Sequence, residues 1–335
     1  MRLSALGELA LVERIRGRFR DLRRGRLLRG IGDDAAVIGL PQGGKLLATT
    51  DLMAEGVHFD LKLETPYQLG FKLVSLNVSD IYAMGGSPLQ VLLALALPPE
   101  TDTGFLDMFM DGVRNALDLY GASLAGGDLS GSTDAMTLTA TVIGQAAKPV
   151  LRSGARAGDW LYVTGPLGDS ACGLELLKKI GRPVDLHAKS VRGPLPWKTM
   201  KPLIERHVLP VARRPGAWLK SARAMIDISD GLALDLKRLC IESGVGALVD
   251  MESLPVSAAM RKAAPVLGLD PLELALSGGE DYELLFAGRG TVRGRAIRIG
   301  EIVKGKEIRM NCPDGKKMPL EPKGYMHFNL NKGGG

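Results

Sequence analysis

The acidic residues of this 335-residue chain recur in one kind of setting. Asp33 and Asp34 follow Gly30-Ile-Gly, Asp51 follows Thr49-Thr50, Asp80 follows Asn77-Val-Ser, Asp128 follows Gly126-Gly127, and Asp227 and Asp230 bracket Ile228-Ser229. Each stands at the expected end of a strand or helix, beside small residues. Hard cations such as Mg²⁺ take oxygen ligands and are held by a few carboxylates together with substrate phosphates, so this set suits Mg²⁺ and a nucleotide. It does not suit zinc. His58, His187, His207 and His327 are scattered with no H-E-x-x-H, and Cys172, Cys240 and Cys312 form no C-x-x-C pair.

Three of these places carry more local detail. Positions 69, 73, 76 and 80 share one face of an ideal helix, so Asp80 continues the apolar stripe of Leu69, Leu73 and Leu76. A lone buried carboxylate there is costly unless paired or metal-bound; the alternative is a cap at a frayed helix end in water. In AMIDISDGLALDLKRLC a strand ends at Asp227 to Ile228, and Ser229 and Asp230 stand where N-cap residues stand before a helix with Leu232, Leu236 and Leu239 on one face. Such a helix start aims N–H groups at an anion, with Gly231 allowing a phosphate close, although an ordinary N-cap has the same look. GIGDDA is followed by strand-like AAVIGL rather than a helix, which excludes a dinucleotide-binding turn, and no G-x-x-x-x-G-K-[ST] occurs. SGGEDYE at Ser277 to Glu283 places two glycines before Glu280 and Asp281 at a strand start, and by itself could be a turn.

The elements that must position these residues alternate between strands and helices. Helical spacing is expected over 4–19, 66–84, 103–120, 170–179 and 232–243, with helical pieces up to Lys220. Strands are expected at 35–40, 45–50, 89–97, 123–125, 135–144, 159–164, 224–228, 247–251 and 282–287. The stretch Gly181 to Pro202 reads as irregular and Pro-rich. A shift in composition near Ala147 to Pro149 divides the chain into two α/β domains, 1–148 and 149–335.

Composition bounds the rest. Hydrophobic residues make 45% and charged residues 24%, the balance of a soluble globular protein. The longest apolar run is far below the roughly 20 residues that span a bilayer, and the N-terminus lacks the form of a secretory signal, so a cytoplasmic protein without membrane contact is expected. The formal charge of +6 is concentrated in residues 14–29, with eight Arg against one Asp, leaving the remainder close to neutral. Without interleaved aromatics beyond Phe19, that segment reads as a solvated helix end and loop rather than a nucleic-acid surface.

Taken in order, GIGDDAAV, ATTDLMAEGVHF, NVSDIYAMGG, AGGD, LRSGARAGDWLYVTG, DISDGLALDL, SGGEDYELLF and GYMHF resemble the thiamine-monophosphate kinase family, within the aminoimidazole ribonucleotide synthetase-like superfamily. The match runs from about Gly7 to Phe328. Leu129, where the family often has Thr, and Leu186 to Met200 depart from it. The resemblance implies a mixed α/β fold of two domains, with an ATP site built at a homodimer interface. It implies direct transfer of the ATP γ-phosphoryl group to thiamine monophosphate with several Mg²⁺ ions, the alternative being another ATP-dependent synthetase or cyclo-ligase of the same superfamily. Mg²⁺ ligands then fall on Asp34, Thr49, Thr50, Asp51, Asp80, Asp128, Asp227 and Asp230. ATP contacts fall on Gly127, Asp128, Arg152 and Ser229, and substrate contacts on His58, Glu280 and Tyr325. Residues 1–148 would supply the ATP/Mg²⁺-binding and dimerisation domain, and 149–335 the domain completing the nucleotide and substrate sites.

Overall fold

The computed structural model describes residues 13, 16, 26–29, 31–40, 44–290, 292 and 294–325. The helix expected over 4–19 lies outside them except for Glu13 and Arg16, both helical. Strands β1 (Leu27–Arg29), β2 (Ala36–Gly39), β3 (Lys45–Ala54), β4 (Ser87–Leu97), β5 (Ser123–Gly131) and β6 (Thr137–Ala146) form one sheet in the order β1-β2-β3-β6-β4-β5. Its pairs are antiparallel except β4 with β5. A parallel pair needs a crossover, here α2 (Thr103–Tyr120), which packs beside α1 (Pro66–Ala83).

The second sheet holds β7 (Trp160–Val163), β8 (Ala222–Ile228), β9 (Gly246–Asp250), β10 (Glu283–Gly288), β11 (Ile297–Val303), β12 (Ile308–Asn311) and β13 (Lys317–Pro319) in the order β13-β12-β9-β11-β7-β10-β8. Around it lie α3 (Asp169–Ile180), α4 (Trp197–Val208), α5 (Leu232–Ser243), α6 (Ala258–Val266) and α7 (Pro271–Ser277). Each sheet has its own apolar core, one around Leu47, Leu73, Val91 and Val142 and one around Leu161, Ile226, Leu236 and Leu285.

Helix α1 starts where Thr65 and Gln68 cap each other reciprocally, with Pro66 in the first turn, where a missing N–H costs nothing. It runs buried along the first sheet and against α2. A Cβ on Gly70 would meet the Phe109 carbonyl at 2.0 Å, and one on Gly112 the Tyr67 carbonyl at 2.0 Å, so two glycines let the helix backbones touch. No helix among the described residues covers the opposite face of this sheet: Leu52 (51% exposed), Leu92 (37%) and the whole of β5 lie open.

Several sequence expectations are corrected. Residues 197–202, read as irregular, are the first half of α4, whose Pro202 lies inside the helix. The reading of β5 as three residues stopped at Gly126-Gly127, yet the strand continues to Gly131, because the carbonyl of Leu93 lies against Gly127 where a Cβ would not fit. Helices α6 and α7 and strands β11 to β13 were not anticipated; they are short and interrupted by Pro and Gly. No helix among the described residues is long and apolar enough to cross a membrane.

Candidate active site

A cavity of about 950 Å³ runs between the two halves of the chain. One end is acidic. Asp34 follows the turn before β2, Asp80 lies in the last turn of α1, and Asp227 is near the end of β8; each offers a carboxylate oxygen within 4.8 Å of the others. The helical stripe therefore carries Asp80 inward, as its spacing predicts. Thr49 Oγ1 on β3 donates to Asp80 Oδ2 at 2.5 Å, and Ser79 Oγ donates to Asp227 Oδ2 at 2.7 Å. The backbone N–H of Asp51 donates to Asn77 Oδ1 at 2.9 Å, pinning β3 against α1.

Electrostatics at this end are strained by like charge. Burial pushes the Asp80 carboxyl well above its ordinary range, and Asp51, Asp227 and Asp34 push it further. Asp227 is raised in the same way, by burial and then by Asp34. Arg152 grips Asp34 through Nε (3.1 Å) and Nη2 (2.9 Å), and its own N–H donates to Asp33 Oδ1 at 2.8 Å. Two guanidinium groups, Arg152 on Asp34 and Arg238 on Asp230, face five carboxyl groups, Asp34, Asp51, Asp80, Asp227 and Asp230, so acidic groups outnumber the cations lining this end of the cavity. An all-oxygen donor set of this kind fits a hard divalent cation.

The Asp227-Ile-Ser-Asp230 turn differs from its sequence reading. Ser229 and Asp230 are not N-caps of α5: the cap is Gly231 at φ 112°, and Asp235 from inside the helix accepts from the N–H groups of both Ser229 and Asp230, 3.0 Å each. A Cβ on Gly231 would lie 2.9 Å from the Ser277 backbone, so glycine is needed there for backbone shape and for packing on α7 as well as for any ligand. Arg238 bridges Asp230 (2.5 Å) and Asp235 (2.8 Å).

The other end of the cavity is mixed. His58 Nδ1 accepts from the Ala54 N–H at 3.0 Å, which puts the proton of the neutral ring on Nε2. Its ring centroid is 6.4 Å from that of Tyr325, whose N–H donates to the Asp230 carbonyl at 3.1 Å. Glu280 has φ 65° and is held by its N–H donating to the Ser229 carbonyl at 2.7 Å. Behind it lie Lys72, Glu64, His207 and Ser170, residues that sequence reasoning missed. The signal was a lysine flanked by Phe71 and Leu73 in a helix whose one other charged residue is Asp80. Ser170 Oγ and Glu280 both meet His207 at Nδ1, so these three do not form a nucleophile–base–acid chain.

Of the residues singled out from sequence, Asp34, Thr49, Thr50, Asp51, His58, Asp80, Arg152, Asp227, Ser229, Asp230, Glu280 and Tyr325 line this one cavity. Gly127 and Asp128 do not. The register Leu52–Thr139–Ala94–Asp128 crosses the sheet, placing Asp128 three strands from β3, about 14 Å, on exposed β5. Arg16 and Arg29 of the Arg-rich segment both reach Glu242 (2.7 and 2.6 Å), and Arg29 also holds Asp33 (2.7 Å), so these two are bound to the body rather than merely solvated.

Residues 32–146 match the family described as AIR synthase related protein, N-terminal domain, and 156–312 its C-terminal domain. The thiamine-monophosphate kinase of Aquifex aeolicus is 37% identical over 333 residues, covering 98% of this chain and 100% of its own. That of Escherichia coli (strain K12) is 36% identical, covering 97% and 99%. This chain belongs to the thiamine-monophosphate kinase family. A solved structure described as AaThiL complexed with AMPPCP and TMP superposes with a TM-score of 0.84 at 36% identity, covering 98% of this chain and 99% of that one. The two chains thus share one fold over nearly their whole length.

Proposed function

We propose that this chain transfers the γ-phosphoryl group of ATP directly to the phosphate of thiamine monophosphate, giving thiamine diphosphate and ADP. As a family member it is an ATP-dependent phosphotransferase. The observation that carries the reading is the convergence of Asp34, Asp80 and Asp227 within 4.8 Å at one end of a cavity whose other end holds His58, Glu280 and Tyr325.

The chemistry fits these groups. A phosphate monoester has a second pKa of about 6, so at neutral pH the acceptor oxygen is already nucleophilic and needs no general base. The obstacle is bringing two anions together, which positioning and charge neutralisation overcome. Asp34, Asp51, Asp80, Asp227 and Asp230, with Thr49 and Thr50, would hold Mg²⁺, which when bound neutralises phosphate charge. Arg152 keeps its Nη1 donors for a phosphate after gripping Asp34. Ser229 faces the nucleotide from the turn before α5. His58 orients the acceptor, Glu280 answers its positive ring, and Tyr325 offers an aromatic face to that ring, an attraction of about 0.5–2 kcal/mol.

Gly127 and Asp128 take a part only if a second copy brings β5 to the cavity. The face bearing exposed Leu52 and Leu92, continuous with exposed β5, suits a homodimer in which each copy supplies Asp128 to its partner's nucleotide. In this reading 1–148 forms the ATP/Mg²⁺-binding and dimerisation domain and 149–335 completes both sites, in a cytoplasmic protein. The test is incubation with ATP, Mg²⁺ and thiamine monophosphate. Thiamine diphosphate and ADP in equal amounts, without free phosphate, are expected; ADP with free phosphate and no thiamine diphosphate would overturn the reading.

A further inference from the structure

Lys72 is among the largest fully buried side chains of the protein, at 0% exposure in the middle of α1. Its Nζ lies 2.8 Å from Glu280 Oε1, 3.0 Å from Glu280 Oε2 and 3.6 Å from Glu64 Oε1. Burial opposes its charge, but the two carboxylates outweigh that and raise its pKa above the ordinary value, so it is a cation. Glu64 is 2% exposed, and its Oε1 has no hydrogen-bond partner among the described residues. His207 also comes within 3.3 Å of Glu280, yet burial, with Lys72 and Lys178 nearby, lowers its pKa well below the ordinary value and keeps it neutral. Of these two neighbours, Lys72 is the one that brings charge to Glu280.

The geometry has a purpose that stability does not supply. An apolar side chain would fill a buried helix position without the cost of desolvating an ammonium and two carboxylates. Glu280 belongs to the second half of the chain, on a loop in the left-handed region, with its backbone pinned to Ser229. Its side chain reaches across the cleft to a helix of the first half, the same helix that delivers Asp80 two turns later, about 12 Å on. One rigid element therefore sets both ends of the cavity at a fixed separation.

We propose that Lys72 is a positioning residue for the acceptor: it fixes the Glu280 carboxylate at the acceptor end of the cavity, with Glu64 as the buried counter-charge that keeps Lys72 cationic. This rests on Glu280 contacting the acceptor, as read above. Lys72 itself touches no substrate.

The test compares three variants by steady-state kinetics on the full chain, with thermal melting as a control of folding. Lys72→Met should raise the KM for thiamine monophosphate about tenfold or more, while the KM for ATP stays within about twofold, because an anchored charge-assisted contact is lost at one end only. Lys72→Met with Glu64→Gln removes the buried charge that the single change strands, so it should melt higher than Lys72→Met alone yet keep the raised acceptor KM. Lys72→Arg, which retains a donor within reach of Glu280, should recover much of the acceptor KM. If the double variant returned to the unaltered acceptor KM, or if both substrates' KM values rose together in every variant, Lys72 would be a structural ion-pair member only and the proposal would fall. A protein that makes no thiamine diphosphate before any substitution would instead remove the kinase reading, and this inference with it.

Discussion

Asp227 and Glu283 stand almost side by side. They lie on adjacent strands, with Leu284 the register partner of Asp227, and both are nearly or fully buried. Their surroundings are opposite. Glu283 accepts from Thr164 Oγ1 and is held by Arg206 and Arg213, all at 2.5 to 2.8 Å, so its pKa lies below the ordinary range although burial alone would raise it. Asp227 accepts from Ser79, faces Asp34, and is pushed well above that range. Burial is common to both, so it does not distinguish a structural carboxylate from a functional one. The difference is whether the fold supplies the compensating charge or leaves it to come from outside.

Breaking that contrast at the uncompensated end has the largest expected effect. Asp80→Asn should lower turnover by at least about a thousandfold, since a metal-assisted transfer loses a ligand. The same substitution should raise the melting temperature in EDTA, because one of several facing charges is gone. Near-normal activity with unchanged Mg²⁺ dependence would refute the metal role. At the compensated end the signs reverse: Glu283→Gln should cost about 2–3 kcal/mol of stability in denaturant titrations by stranding two guanidinium groups, with some relief because Arg213 is partly exposed.

The pH dependence sharpens the same comparison. Asp235 and Asp281 are each raised to about 7, and Asp33 to about 6, in every case chiefly by burial. Such groups keep their protons in the folded chain where the unfolded chain has lost them, so they make stability fall as pH rises from about 4 to about 7. Glu283 acts in the opposite sense, contributing stability above its ordinary pKa that is lost as pH falls through its lowered one. Melting in EDTA against pH should therefore decline toward neutrality, and excess Mg²⁺ should flatten that decline by neutralising the Asp34, Asp80 and Asp227 end. An unchanged slope with Mg²⁺ would contradict cation binding there. The smallest effect is expected at the partly buried triad of Glu242, Arg16 and Arg29: Glu242→Gln, which releases both arginines, should cost about 1 kcal/mol, measurable as a slight shift of the denaturation midpoint.

The chain order of the aspartates, the helical spacing of Leu69, Leu73, Leu76 and Asp80, and the absence of a P-loop were legible before any coordinates, because they depend on local period and residue type. Helix α5 was read to its end residues, since its apolar face and its Gly231 and Gly244 punctuation are local signals. The capping of the Ser229 turn was not, because Asp235 reaches back against chain direction from within the helix. Lys72 and Glu64 went unnoticed, and His207 was given no site, for a related reason: their partners lie between 8 and 208 residues away, and a charged residue in an apolar helix has no local signature of what neutralises it.

From sequence alone came the kind of chemistry: oxygen-rich, histidine-poor and cysteine-poor groups at element ends admit a hard cation and phosphates. Tertiary structure decided which carboxylates remain unpaired. Asp80 and Glu283 cannot be ranked by residue type or spacing, because the arginines that neutralise one and spare the other arrive from helices and loops far along the chain. Tertiary structure likewise decided that Asp128 stands apart within one chain, since β6 and β4 lie between its strand and β3.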